Sequence, residues 1–359
     1  MGIFEYKLFS DSPQLKTLKV KGLNKNALFL FCISGIFPNH RKYSYIGVNL
    51  NGLKMDIFSF GVHFTDEKSC RLHFKDQRDK EGVVCNRCGS TDHYWLKNKW
   101  SYQCKSCKAR LSLRSGTILE SSKLSFMTWY KAIFLMSATK KGFSSKEIQR
   151  QLGLKRYEPV WAMVHKLRKA MGQREDRYTL EGMIEMDEGY FTIEASQHDH
   201  QTQKAGRGSK TKANVMVMAE STILEDIHTG KVERQCRYFK AKVLGDHKSE
   251  GTNNTLKNAI DDEQTIVFTD RSTSYVDIAD YVELHITEKS NEQTTKETLK
   301  WVHIAISNAK RNFVGNYHKI KKKYLQLYLN EFVYKLNRRY FGDKLFERLV
   351  IASITASGR

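Results

Sequence analysis

The sequence predicts an α/β fold, a mixed sheet with flanking helices, preceded by a cysteine-rich ribbon and a helical region. Three observations carry this. Cys85/Cys88 and Cys104/Cys107 form two Cys-x-x-Cys pairs inside a Gly- and aromatic-rich, strand-like stretch over 83–120. Residues 125–171 show the apolar period of helices. From Gly182 onward, short β-rich runs (183–194, 214–221, 235–243, 265–269 and 282–287) mix with helical stretches at 296–313 and 321–336, the pattern of strands and helices sharing one domain.

The chain has 359 residues, 40% of them hydrophobic, enough for two or three domains with a real core. Lys and Arg number 60 against 39 Asp and Glu, a formal net charge of +21. An excess of that size points to a polyanionic partner, nucleic acid before an anionic membrane surface. No apolar run approaches the ~18 residues of a membrane span, so no membrane location is expected. Seven cysteines, an odd number, and no plausible signal peptide argue against a secreted disulfide framework and for a cytoplasmic location. Residues 1–54 carry eight Lys/Arg against two acids and read as an upstream extension of little order, with Met55 as a natural beginning; a small extra domain is the alternative. Residues 55–120 form the ribbon with a short charged helix at 65–79, for which Thr65 is the candidate N-cap. Residues 196–212 have no apolar period and read as a mobile basic loop.

The ribbon's chemistry follows from its spacing. Fifteen residues separate Cys88 from Cys104, and two such knuckles supply four thiolates to one tetrahedral zinc. Four soft ligands leave no open position, so the ion is structural. His93 is a conceivable fifth candidate but is not needed. Arg87, Lys97, Lys99, Lys105, Lys108 and Arg110 surround the cysteines and suit phosphate contacts.

Residues 121–175 read as a helix-turn-helix. An apolar helix covers Phe126–Thr139. Ser144 then caps a second helix, with Glu147 at the capping-box position and Ile148 and Leu152 as a core pair, ended by Gly153. A third helix runs Tyr157–Met171, with core stripe Val160, Met163, Val164 and Leu167, and Lys155, Arg156, Lys166, Arg168 and Lys169 left to meet phosphate.

Two apolar strands each deliver a carboxylate: Asp187 within Met183–Phe191, and Asp270 at the end of Thr265–Asp270. An ionised carboxylate on a buried strand is costly unless paired or metal-bound, so the pair reads as a divalent-metal site for phosphoryl chemistry. Glu188 reads either as a proton-handling neighbour or as a surface residue.

The order of ribbon, helix-turn-helix, Asp187 in MDEGYF, Asp270 in FTDRSTSY and a late helix carrying Ser307–Arg311 (SNAKR) resembles a bacterial insertion-sequence transposase. The resemblance is to the DDE (RNase-H-like) superfamily, in its ISXO-type group with an N-terminal zinc ribbon, and covers roughly residues 55–352. Gly315–His318 and the tail Asn330–Phe332 with Asn337–Arg339 extend it. It implies an RNase-H-like catalytic domain at 180–352, metal-dependent strand cleavage and strand transfer at terminal inverted repeats, and two Mg2+ ions. It also implies double-stranded DNA (the repeats and target DNA) as partner and a homo-oligomer formed on DNA, in a cytoplasmic, nucleoid-associated bacterial setting. Such enzymes place a Glu on the late helix seven residues before a Lys or Arg; here the residue seven before Lys310 is His303. Seven helical steps return within about 20° of the starting face, so His303 and Lys310 share a face and His303 is the third candidate ligand, with Asn308, about 140° away, the alternative. An imidazole suits Mn2+ or Zn2+ better than Mg2+. The rival readings are a zinc-ribbon DNA-binding regulator with a non-catalytic RNase-H-like domain, and another RNase-H-like nuclease that degrades without joining.

Overall fold

The computed structural model describes residues 6–7, 55–194, 210–226, 232–245, 249–260, 265–271, 275, 278–289, 291, 297–317 and 319–356. Apart from 6–7, the expectation for residues 1–54 lies outside the described residues, as does most of the predicted loop at 196–212. The chain divides into two compact units: residues 1–53 with 223–232, and residues 54–222 with 233–359. In the smaller unit, β1 (Tyr6–Lys7) pairs antiparallel with Glu225 and Asp226.

In the larger unit, α1 (Ile57–His63) and α2 (Glu67–Glu81) lead into a three-stranded antiparallel ribbon of β2 (His93–Leu96), β3 (Ser101–Cys104) and β4 (Arg110–Ser112). The N-cap of α2 is Asp66, one residue beyond the predicted Thr65. Its carboxylate accepts from Ser69 N at 2.7 Å while Ser69 Oγ accepts from Asp66 N, a reciprocal box Thr65 is out of step to make. Three helices follow: α3 (Phe126–Ala138), α4 (Ser145–Gln151) and α5 (Tyr157–Glu175). Ser144 caps α4 through Glu147 N, but the Glu147 side chain turns to Arg150 and Gln151, so only half of the predicted box forms. Gly153 turns the chain at φ +63°, a conformation open to glycine at little cost.

A five-stranded mixed sheet then runs in the order β7 (Val232–Val243), β6 (Lys212–Asp226), β5 (Met183–Thr192), β8 (Ile266–Asp270), β9 (Leu284–Glu288). β5 is antiparallel to β6 and parallel to β8, which is parallel to β9. Helices α6 (Ser249–Lys257), α7 (Lys300–Asn316), α8 (Leu325–Asn337) and α9 (Leu345–Thr355) complete the unit. This is the mixed α/β class that the sequence predicts.

Strand alternation divides the sheet into two faces. One face buries Phe191, Val215, Val217 and Ala219 under Val302, Ala305, Ile306, Ala309 and Phe313 of α7 and Leu329 and Val333 of α8. The other buries Ile184, Met186, Met216, Met218 and Val267 against Leu256, Tyr275 and Ile278. A third core joins the ribbon, α1 to α5 and α9; Phe346 of α9 meets Phe60, Phe64, Phe134 and Tyr130. Tertiary packing thus recruits the C-terminal helix into the front of the unit.

Candidate functional site

Helix α7 lies along β5, and side-chain chemistry pins the two together. The helix starts without a side-chain cap of its own. Glu185, fully buried on β5, fills that role: its Oε2 accepts from Trp301 N at 2.7 Å and Val302 N at 3.3 Å. A carboxylate at a helix N-terminus satisfies orphan N–H groups and meets the positive end of the helix dipole. Two strand residues on, Asp187 Oδ2 lies 3.8 Å from His303 Nε2. Two further on, Gly189 leaves so little room that an added Cβ would stand 3.3 Å from Ile306. Finally, Phe191 meets the Phe313 ring at 5.7 Å and Lys310 Nζ at 5.9 Å. The spacing is geometric: six strand residues advance about 20 Å, and the twelve helical residues from Trp301 to Phe313 about 18 Å. Helix and strand therefore stay in step along the same direction.

Asp270 reaches this face from the neighbouring strand. The parallel register Ile184↔Val267 and Glu185↔Phe268, continued by two residues, sets Asp187 beside Asp270. Asp270 closes β8 at its carboxyl end, the edge at which open α/β sheets bind ligands. Electrostatics agrees with this proximity. Burial pushes the Asp187 carboxyl up to about 7; Glu188 N, donating to Oδ1 at 2.7 Å, opposes this, the Asp270 and Glu188 charges reinforce it and Lys310 opposes it. Burial lowers the His303 pKa below its ordinary value, with Asp270 raising it and Lys310 lowering it. The imidazole is thus neutral near pH 7, with a lone pair to offer. Two acids of one sign, a neutral imidazole and a lysine converge on one end of the sheet.

Other candidates fall elsewhere. Glu188 alternates to the opposite face, where its Oε2 accepts from Asn214 Nδ2 at 2.6 Å. Asn308 accepts from Arg311 at 2.8 Å on a different side of α7 from His303. Arg168 does not meet solvent. It is fully buried on α5, with Nε donating to Glu331 Oε2 at 2.8 Å and an Nη to Tyr317 Oη at 3.0 Å, while Lys335 pairs with Glu331 at 3.1 Å. Its apolar neighbourhood and its partner on α8 decide this, and neither is visible in local sequence. Asn337 is a staple as well: its amide bonds Phe239 N and Phe239 O at 2.8 and 2.9 Å and Glu175 at 2.5 Å, and Arg338 pairs with the same Glu175. Glu185 and Tyr275 are contributors the sequence reading missed. The Tyr275 phenol, buried on the far face, is pushed upward by burial and by the Glu188, Asp187 and Asp270 charges. A charged residue two positions before Asp187, in phase on the same face, was the available signal for Glu185.

The four ribbon thiols converge. Among the described residues, Cys85, Cys88, Cys104 and Cys107 are the set of three or more candidate ligands drawn within 4.8 Å of one another. Cys85 and Cys107 sulfurs stand 3.5 Å apart, as do Cys88 and Cys104. A tetrahedral ion with bonds of about 2.3 Å needs sulfurs about 3.8 Å apart, so the quartet fits one zinc. The knuckles repeat each other: Gly89 N bonds Cys85 O at 2.9 Å and Lys108 N bonds Cys104 O at 3.1 Å, with φ of +73° and +59°. Backbone N–H of Cys107 draws the Cys104 thiol down to about 6. His93 stays outside, with Nδ1 2.9 Å from Thr91 O.

Residues 179–337, from just before β5 to the end of α8, match the family described as ISXO2-like transposase domain, which supports an insertion-sequence transposase of the DDE superfamily. No curated protein and no solved structure matches the chain. No helix among the described residues is long and apolar enough to cross a membrane.

Proposed function

We propose that this protein is a DDE-type transposase that binds the terminal inverted repeats of an insertion sequence and cuts and joins DNA strands at a divalent-metal site formed by Asp187, Asp270 and His303. The observation that carries the reading is the placing of Asp187 and Asp270 side by side on one sheet face, with His303 Nε2 3.8 Å from Asp187. The donor types suit a divalent cation, two carboxylates, one with its pKa raised by burial and its like-charged neighbours, beside an imidazole, and as a set they stand wider apart than the 4.8 Å within which the ribbon thiols meet. Bound there, Mg2+ or Mn2+ would supply positive charge where the phosphate becomes more negative and activate the attacking oxygen.

The chain's own groups do the rest. Lys310, exposed beside the site, holds the scissile phosphate, and Arg311 extends that grip along the strand. Glu185 fixes the start of α7, and Gly189 lets the helix lie close, so that His303 stays opposite Asp187. Water displaces the 3′ oxygen from phosphorus, leaving a 3′-OH and a 5′-phosphate. The 3′-OH then attacks a target phosphodiester, forming one P–O bond as another breaks. No protein nucleophile is needed. The zinc-filled ribbon and α3 to α5, acting as a helix-turn-helix, hold duplex DNA, and the enzyme works as a homo-oligomer on DNA in the cytoplasm.

The test is incubation of the zinc-loaded protein with DNA carrying the sequences that flank its coding region, with Mg2+ or Mn2+. Nicked and joined products from wild type and none from Asp187→Asn support the reading. Binding without cleavage in either ion would leave the DNA-binding regulator. Cleavage without joining would leave a plain nuclease.

A further inference from the structure

We propose that Lys319, Lys321 and Lys322, in the strap between α7 and α8, form one duplex-DNA-binding surface with Lys155 and Arg156 at the start of α5. The helical front end and the transposase domain would then grip the same stretch of DNA. The inference rests on the DNA-processing reading above and adds where the duplex lies.

Burial limits what α5 can offer a partner. From Met163 onward its side chains are buried or half-buried, whereas Lys155, Arg156, Tyr157 and Glu158 are exposed. A reading helix meets bases and phosphates through its N-terminal turns, and those are the turns left open. The strap is docked on that same end. Tyr324 packs edge-on against Trp161 at 5.1 Å and against His165 at 5.2 Å, and Trp161 stacks on His165 at 3.9 Å. Its other end is tied down where buried Ile320 accepts from Glu194 N at 2.8 Å. Lys321 and Lys322 are therefore held near α5, and Lys319 next to the anchored Ile320, rather than trailing in solvent. At no more than about 3.6 Å per residue, Lys321 and Lys322 lie within about 11 Å of Tyr324 along the backbone.

Charge favours a polyanion. No acid occurs between Asn316 and Asn330, and Glu158 is the one acid in the first two turns of α5. Among the described residues, none of Lys155, Arg156, Lys319, Lys321 and Lys322 has a carboxylate partner. A duplex presents one charge per about 1.7 Å of its axis, so five fixed cations can meet several phosphates at once. An anionic membrane fits less well, because Ile320, the strap's aliphatic side chain, is buried inside and the strap offers a bilayer little to insert.

The test is the salt dependence of binding by the full zinc-loaded chain to one short duplex in a one-to-one complex. Lys319→Ala/Lys321→Ala/Lys322→Ala should reduce the slope of log K against log salt by up to about 2.7, and addition of Lys155→Ala/Arg156→Ala should bring the loss to about 4.5, at about 0.9 per phosphate contact. Melting temperatures should stay at the wild-type value, since all five side chains are exposed. Charge reversal by Lys321→Glu should weaken binding further than Lys321→Ala. A triple variant with the wild-type slope would overturn the proposal, as would loss of binding to anionic vesicles with DNA binding intact. A wild type with no salt-dependent duplex binding would instead overturn the DNA-processing reading itself.

Discussion

Replacing Asp187 by Asn should make the metal-free protein more stable, and increasingly so as pH rises. The carboxyl's pKa climbs from an ordinary 3.8 to about 7 in the fold, chiefly through burial and then through Asp270 and Glu188. A group with a raised folded pKa holds its proton longer when folded, so stability falls as pH rises from about 4 to about 7. At about 1.4 kcal/mol for each pH unit between the two pKa values, the cost is about 2 kcal/mol at pH 5 and about 4 kcal/mol at pH 8. These values are ceilings, because 17% of the side chain still touches solvent. Asn keeps an oxygen to accept from Glu188 N and carries no charge. Urea unfolding in EDTA-free buffer stripped of Mg2+ and Mn2+, with zinc retained, should show Asp187→Asn gaining about 3 kcal/mol more over wild type at pH 8 than at pH 5, from about 1.4 kcal/mol for each pH unit between 5 and 7. Adding Mn2+ should reverse the ranking, since only wild type gains a ligand. Equal stability of the two proteins at both pH values would refute the claim that Asp187 sits buried among like charges.

Three further outcomes follow from the same structure. Glu185→Ala leaves the first N–H groups of α7 without their acceptor and should cost about 1–3 kcal/mol, whereas Glu185→Gln, which keeps the acceptor, should recover most of it; urea midpoints of the two variants decide. Arg168→Met leaves buried Glu331 with Lys335 in place of two cations and should cost about 3 kcal/mol, read as a shift in the urea midpoint. Removing zinc with a strong chelator should unfold the ribbon and loosen the aromatic core shared by Phe60, Tyr130 and Phe346, seen as lost near-ultraviolet dichroism that returns on adding zinc.

The elements that sequence placed well are those with a strong local signal. The two cysteine pairs, the apolar period of α3 to α5 and the β-rich runs around Asp187 and Asp270 each report through neighbours in the chain. Ends and partners were less legible. Helix α7 begins at Lys300 rather than 296 because its cap is Glu185, 116 residues away. Thr65 and Asp66 are both good capping residues; Ser69 Oγ, placed to complete a box with Asp66, selects between them. Arg168 read as a phosphate contact because its burying partners, Tyr317 and Glu331, come from distant segments. Glu188 sits next to Asp187 in sequence yet faces away, since adjacent strand residues point to opposite faces. The convergence of His303 on Asp187 was legible in part: the seven-residue step to Lys310 fixed the helix face, but only the fold brings that face to β5.

Manganese binding to the zinc-loaded protein at pH 8, followed by the loss of the free Mn2+ paramagnetic resonance signal, tests the metal site most directly. Wild type should take up Mn2+ in preference to Mg2+, Asp187→Asn and Asp270→Asn should lose that uptake, Lys310→Ala should keep it, and His303→Glu should shift the preference toward Mg2+. Wild-type Mn2+ uptake in Asp187→Asn or Asp270→Asn would contradict a metal centre shared by β5, β8 and α7.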